Sequence, residues 1–341
     1  MYEQISYEEV RQRNMQLVDV RSEKEYAEFH IPGAISFPVL SNEERRIVGT
    51  LYKEGHFREA KQRALSFVAP KLSQLEAIFG EEGKNTCIYC ARGGYRSRAV
   101  AALFYALGYG VYQMAGGIKA YRQMVNRELP KLLESLSLLI LYGQTGTGKT
   151  DLLLRLEGMG IPVLDLEGMA NHKGSVLGSL GLGEPHSQKM FEALLYETLS
   201  SYEKLPLFIT EGESKRIGKV ILPNGLWEAM ERSKRIYITS PMDLRAERLM
   251  HGYAEDVSLE EQKAAVHRLA PYVSKDDLNE ILQYMENGQF KMAAKRICEV
   301  HYDKHYKYRP EDDTPVLENI DDDLTAKEIA KFWNTYKEDR E

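Results

Sequence analysis

Between the apolar run Leu136-Ser137-Leu138-Leu139-Ile140-Leu141-Tyr142 and a leucine-rich segment through Glu157 stands Gly143-Gln144-Thr145-Gly146-Thr147-Gly148-Lys149-Thr150. No other stretch narrows the possible folds as far, because Gly-x-x-x-x-Gly-Lys-Thr works only as the turn from a buried strand into a helix. The glycines let backbone N–H groups wrap a diphosphate, Lys149 neutralises its charge, and the Thr150 hydroxyl is placed to hold Mg²⁺. The motif announces a phosphate chain without saying whose. Carboxylates to support a metal are less obvious. Asp165, in Val163-Leu164-Asp165-Leu166-Glu167, and Glu211, in Leu207-Phe208-Ile209-Thr210-Glu211-Gly212-Glu213, close two further strands. Neither strand is a clean apolar run ending in Asp-Glu, which argues against plain nucleotide hydrolysis and leaves any metal unassigned.

A second loop, Cys90-Ala91-Arg92-Gly93-Gly94-Tyr95-Arg96-Ser97, also joins a strand pattern (Thr86-Cys87-Ile88-Tyr89) to a helix pattern (Ala99 to Leu107). Gly93 and Gly94 let the chain curl so that its N–H groups face inward. Arg92 and Arg96 add positive charge at a helix N-terminus, surroundings that favour a thiolate at Cys90. The plainer reading is a buried structural cysteine beside an anion-binding turn. Cys87 and Cys90 have Cys-x-x-Cys spacing, but there is no second pair to complete a zinc site, and Cys87 and Cys298 read as packing.

Composition sets the outer limits. A chain of 341 residues, 43% hydrophobic and 28% charged, suits two globular domains, while a net charge of −6 obliges any nucleic-acid partner to use a local basic surface. Three cysteines make no disulfide framework, Met1-Tyr2-Glu3-Gln4-Ile5 lacks the features of a secretory leader, and no run approaches the roughly 20 apolar residues of a membrane span. The expectation is a cytoplasmic protein that does not engage membranes.

Flanking segments sharpen the first half. Leu17-Val18-Asp19-Val20-Arg21-Ser22, His30-Ile31-Pro32-Gly33-Ala34-Ile35, the Cys90 loop and Gly116-Gly117-Ile118-Lys119-Ala120-Tyr121 resemble, in order and spacing, a rhodanese domain. In that family the matching cysteine carries sulfur or selenium as a persulfide-type adduct, so the resemblance implies that role for Cys90. The stretch from Ser41 to Pro70 is long for a minimal rhodanese domain and rich in Arg and Lys. It reads either as a solvated helical connection or as a wall of the Cys90 site. A helix after Tyr121 is expected to stop near Glu128, before Pro130.

The fold expected is therefore α/β: a rhodanese-like parallel-sheet domain over 1–130, a P-loop NTPase-like α/β domain over 131–257, and a helical C-terminal extension of it over 258–341. Candidate contacts for a substrate or tRNA are His172 and Lys173 in a glycine-rich segment that also reads as a plain surface loop, and Lys215 and Arg216 after the Glu211 strand. Lys304 and Tyr306 join them from Phe290–Pro310, where cations interleave with Tyr302, Tyr306 and Tyr308. A solvated helix end would look the same. The acidic stretch from Glu311 to Asp323 reads as an exposed tail.

Taken with Asp165-Leu166-Glu167-Gly168-Met169-Ala170-Asn171-His172-Lys173-Gly174-Ser175, Gln188-Lys189-Met190-Phe191-Glu192 and Glu211-Gly212-Glu213-Ser214-Lys215-Arg216-Ile217-Gly218, nearly the whole chain resembles the tRNA 2-selenouridine synthase family. His301-Tyr302-Asp303-Lys304-His305-Tyr306 departs from it, lacking Pro after the Asp. The resemblance implies replacement of sulfur by selenium in wobble 2-thiouridine of tRNA, with selenophosphate as donor, and S-geranylation from geranyl diphosphate. It also implies a selenophosphate-supplying enzyme as a partner. Two other classes stay open on the residues alone: a nucleotide-dependent kinase or ATPase with a regulatory rhodanese module, and a tRNA-binding sulfur-relay adaptor.

Overall fold

The computed structural model describes residues 2–79, 85–173, 180–254, 257–306 and 308–338. Gly174 and Ser175 of the glycine-rich segment, and Lys307, lie outside them. The chain divides into two compact units, with the boundary at Leu129/Pro130.

The first unit runs β1 (Gln4–Ile5), α1 (Tyr7–Gln12), β2 (Gln16–Asp19), α2 (Glu23–Glu28), β3 (Ile35–Ser36), α3 (Asn42–Lys53), α4 (Phe57–Val68), α5 (Leu72–Phe79), β4 (Thr86–Tyr89), α6 (Tyr95–Ala106), β5 (Val111–Met114) and α7 (Gly117–Glu134). Its sheet has the order β1-β5-β4-β2-β3 and every pairing is parallel. All four residues of β4 are buried, as a central strand covered on both faces requires. Cys87 lies in this core, and burial pushes its thiol up to about 12. Pro130 does not end α7. Leu129 and Leu133, one turn apart and both buried, keep the segment helical through the proline to Glu134.

The second unit comprises β6 (Ser137–Tyr142), α8 (Lys149–Gly158), β7 (Val163–Leu164), α9 (Leu166–Ala170), α10 (Gln188–Ser200), β8 (Leu207–Glu211), β9 (Arg216–Ile217), β10 (Val220–Ile221), α11 (Asn224–Glu231) and β11 (Lys234–Thr239). It continues with α12 (Met242–Ala254), α13 (Leu259–His267), α14 (Lys275–Glu286), α15 (Phe290–Ile297), a π-helical turn (Cys298–Tyr302), α16 (Asp303–His305), β12 (Val316–Glu318) and α17 (Asp322–Glu338). Its parallel sheet is ordered β12-β11-β6-β8-β7, beside an antiparallel β9–β10 hairpin.

The stretch from Glu311 to Asp323 is thus more than an exposed acidic tail. It supplies the edge strand β12 and the fully buried Asn319, because Tyr237–Thr239 offers a free sheet edge to pair with Val316–Glu318. After it, α17 seals the sheet, with Ala326, Ile329, Ala330 and Trp333 packing on Leu152 and Leu156 of α8 and Leu207 and Ile209 of β8. Cys298 sits in a separate helical core with Ile297, Val300 and Tyr302, its thiol raised to about 11 by burial. Among the described residues no helix is long and apolar enough to cross a membrane. Trp333 also donates its indole N–H to Leu207 O at 2.9 Å. Trp333→Ala should lower unfolding stability by roughly 3–5 kcal/mol in urea titrations followed by circular dichroism.

Candidate functional site

At the C-terminal end of β4 the chain turns through Gly93, with φ +65°, into Gly94, which caps α6. The Cys90 thiol is buried at the bottom of this turn. Ser97, one turn into α6, donates its hydroxyl proton to Cys90 Sγ at 3.1 Å. Gln113 on β5 donates to Ser97 Oγ at 2.8 Å and to Gly93 O at 2.9 Å. Gln4 and Tyr2 in turn donate to Gln113 Oε1, which fixes the amide's orientation. Burial alone would raise the thiol pKa. The Ser97 hydroxyl, the N–H groups of Ser97 and Arg92, and the charge of Arg96 outweigh it, so the net shift is downward, toward thiolate.

Gly116-Gly117 has a steric reason. A Cβ on Gly117 would stand 2.2 Å from Cys90 O, and the space it leaves lets Ile118 and Lys119 at the start of α7 donate their N–H groups to Cys90 O and Ala91 O. The two arginines expected beside the thiol differ in their situation. Arg96 is engaged by Glu25 through both carboxylate oxygens, at 2.7 and 3.2 Å, and Arg45 of α3 reaches the same carboxylate at 2.8 Å. Burial opposes the charge on Glu25, but these cations hold its carboxyl down at about 2. Arg92 remains exposed at the loop mouth. Gln113 escaped the sequence reading, since nothing in a strand glutamine marks it as the partner of a loop 20 residues upstream.

In the second unit, β6 leads into the phosphate-type loop. Gly148 has φ +87°, and a Cβ on Gly143 would lie 2.4 Å from Ile238 O. The loop is anchored from outside. Arg245 of α12, buried, donates Nε to Thr145 O at 2.9 Å, where a Cβ on Gly146 would already crowd its backbone, and it forks onto Asp303 at 2.6 and 3.1 Å. Asn319 donates to Thr147 O at 2.9 Å. Lys149 Nζ lies over its own loop, donating to Gly143 O at 2.6 Å, while Thr150 is exposed at the start of α8.

The two carboxylates expected to support a metal have other engagements. Asp165 caps α9 by accepting the Gly168 N–H, and Glu211, buried, accepts the Glu167 N–H at 2.8 Å through one oxygen while the other has no partner. Glu167 and Glu213 share a side-chain hydrogen bond beside Lys149. Burial first, then neighbouring carboxylates, lifts Glu167 to about 9; burial and the charge of Asp165 lift Glu211 to about 8. Among the described residues no group of three or more His, Cys, Asp or Glu side chains could hold a metal ion.

The RNA-contact candidates are divided. Lys215 and Arg216, at the β9–β10 hairpin, and Lys304 are exposed. Lys173 and His172 are half-buried, and the His172 ring packs against Gly218. The expected ring platform over Phe290–Pro310 is not there, because the rings turn inward. Tyr306 accepts the Gly143 N–H at 2.8 Å, Tyr302 is buried in the helical core, and Tyr308 stacks on Tyr142 at 4.0 Å. The neighbouring cations are paired as well, Lys291 and Lys295 with Asp243, and Arg296 with Asp277. Behind this segment α12–α15 enclose an apolar cleft of ≈ 70 Å³, lined by Leu249, Val266, Met285, Phe290, Ala293 and Ile297.

Two outcomes test this geometry. Ser97→Ala should move the pH midpoint of iodoacetamide alkylation of Cys90 upward and slow the reaction several-fold at neutral pH, while Ser97→Thr preserves it. The raised pKa of Glu211 makes a stabilising contribution that is complete below its unfolded value of about 4.3 and is lost as pH rises through about 8. Glu211→Gln should therefore flatten the fall in melting temperature between these pH values.

The comparisons with known proteins agree with the arrangement. Residues 136–304 match the family model described as the tRNA 2-selenouridine synthase AAA domain, and residues 5–124 match the rhodanese-like domain. The tRNA 2-selenouridine synthase of Nitrosomonas eutropha is 31% identical over 78% of this chain and 70% of its own length. That of Nitrosomonas europaea is 30% identical over 82% and 74%, and that of Chromohalobacter salexigens 36% over 70% and 65%. With these matches over both units, the chain belongs to the tRNA 2-selenouridine synthase family.

Proposed function

We propose that this protein converts wobble 2-thiouridine in tRNA to 2-selenouridine, taking selenium from selenophosphate, by way of an S-geranylated intermediate made from geranyl diphosphate. The observation that carries the proposal is the pairing, in one chain of this family, of a thiolate-favouring Cys90 loop with a P-loop tethered at Thr145 and Thr147. The chemistry gives each site a task. Sulfur at C2 is a poor leaving group; attack of that sulfur on the geranyl C1 forms the S–C bond, breaks the C–O bond and releases diphosphate. Backbone N–H groups of the loop and Lys149, which exchanges its carbonyl partners for phosphate oxygens, stabilise the departing charge. Mg²⁺, if recruited, would rest on Thr150 and the diphosphate itself, which suits a cation that keeps most of its water.

The apolar cleft beside α12 offers the kind of surface a geranyl chain requires, on the helix whose Arg245 anchors the loop. In the second step selenium replaces the geranylthio group at C2. Cys90 and its loop hold selenophosphate through the loop N–H groups and Arg92; its selenium attacks C2, the geranylthiolate leaves, and water then hydrolyses the Se–P bond to release phosphate. Lys173, Lys215, Arg216 and Lys304 are the remaining candidates for tRNA phosphates. The activity belongs in the cytoplasm, where three free cysteines stay reduced and an enzyme supplying selenophosphate is at hand.

Mass spectrometry of nucleosides from thiouridine-containing tRNA, incubated with protein, geranyl diphosphate and selenophosphate, tests this. Wild type should yield selenouridine. Cys90→Ala should accumulate geranylated thiouridine, and Lys149→Ala should reduce geranylation by about 100-fold or more, on the order of removing one oxyanion-hole donor. Ala293→Trp, which fills the cleft, should raise KM for geranyl diphosphate more than it lowers kcat. Unchanged thiouridine with wild type, together with ATP turnover abolished by Lys149→Ala, would replace this reading with a nucleotide-driven one.

A further inference from the structure

The helical insertion α3–α4 is not used by either site as described so far, yet it is built onto the Cys90 loop. Val48, Phe67 and Val68 on its inner face pack against the core that contains Cys90 and Val100. Arg45 reaches Glu25, the carboxylate that holds Arg96. At its outer end Tyr52 lies 5.9 Å from the ring of Tyr95, the first residue of α6 and five positions after the cysteine, and 5.0 Å from the ring of Phe57. The Tyr52 and Tyr95 hydroxyls act on each other electrostatically, and the two rings are tilted by 45°.

These rings are not core. Tyr95 is 67% and Phe57 52% exposed, an unfavourable position for large apolar surface unless something covers it. On the same insertion and on the Cys90 loop and α6 stand Lys53, Arg58, Lys61, Arg63, Arg92 and Arg98, all exposed. Lys61 and Arg98 act electrostatically on the Tyr95 hydroxyl. Between Lys53 and Arg63 the acidic residues are Glu54 and Glu59. In a chain of net charge −6 this is a local concentration of cations on a segment that also exposes aromatic rings. That combination fits phosphates together with unstacked bases better than it fits an acidic peptide, which offers nothing to stack.

We propose that Tyr52, Phe57 and Tyr95 form a stacking platform for unpaired bases of a single-stranded RNA loop at the mouth of the Cys90 site, with the surrounding lysines and arginines binding its phosphates. The proposal rests on the tRNA-modifying reading above and adds where the RNA is held. It replaces the segment around Tyr306, whose rings face inward, as the aromatic part of the RNA surface. A base stacked on Tyr95 would bring its neighbour in the loop to the Cys90 turn, so the platform would act on positioning as well as affinity.

The test is fluorescence-anisotropy binding of the full-length protein to a labelled hairpin RNA with a seven-nucleotide loop, and to a fully paired duplex of equal length, at several salt concentrations. Tyr95→Ala and Tyr52→Ala should each weaken hairpin binding on the order of 10-fold or more while changing duplex binding little and the salt slope not at all. Tyr95→Trp should retain binding, and Lys61→Ala with Arg98→Ala should lower the salt slope by about one for each phosphate that is no longer neutralised. An unchanged rate of Cys90 alkylation in the tyrosine variants shows that the loop is still folded. Hairpin affinity unaltered by both tyrosine substitutions would overturn the platform. So would equal losses on hairpin and duplex, which mean charge without stacking. Because binding is read without turnover, failure of the platform leaves selenouridine formation by wild type intact, whereas absence of selenouridine with the platform effects present removes the proposed chemistry and keeps the RNA surface.

Discussion

The P-loop of the second unit depends on one buried cation. Arg245 comes out of water to meet Thr145 O, Gln144 Oε1 and both oxygens of Asp303, and a buried guanidinium is tolerated only when its donors are satisfied in this way. Its effect is to turn loop carbonyls toward the protein. Asn319 takes Thr147 O from another side, and Tyr306 accepts the Gly143 N–H. An ion pair of this kind adds little net stability, but it leaves the glycine-rich loop few alternative conformations. The glycines make the loop possible, and Arg245, Asp303 and Asn319 select its shape.

The first unit solves a similar problem with neutral groups. The Cys90 thiol pKa is shifted down in spite of burial because Ser97 donates to it and is itself held by Gln113, which Gln4 and Tyr2 orient. Glu25 competes for the local cations, and by holding Arg96 and Arg45 it ties the α3–α4 insertion to the loop. In the second unit three carboxyl groups near Lys149 would repel a diphosphate if all were ionised. Burial raises the pKa of Glu167 and Glu211 and lowers that of Lys149, so fewer charges stand in this cluster than its sequence suggests.

Where sequence reading succeeded and where it failed follows chain distance. The Cys90 loop, its Gly117 partner motif and Gly143–Thr150 are local signatures, and the parallel sheets that carry them follow from strand–loop–helix alternation. Reading Phe290–Pro310 as an aromatic RNA surface erred because composition does not say which way a ring points. Tyr302 is buried in the helical core, while the half-buried Tyr306 and Tyr308 are engaged by the Gly143 N–H and the Tyr142 ring. Pro130 misled for a similar reason: the packing of Leu129 and Leu133 outweighs the missing backbone hydrogen bond.

By itself the sequence determined two strand–loop–helix turns, the Cys90 loop and Gly143–Thr150, and the α/β units that carry them, because glycine positions and short-range spacing dictate backbone geometry within a turn. Only the tertiary structure decided their partners. Gln113 stands 16 residues from Ser97, Asp303 58 from Arg245 and Asn319 172 from Thr147. At such separations partners are set by sheet order and helix packing, not by local pattern. The exposed rings beside the Cys90 loop are of the same kind: Tyr52 and Tyr95 are unremarkable as letters and become a surface only when α3 is laid against α6.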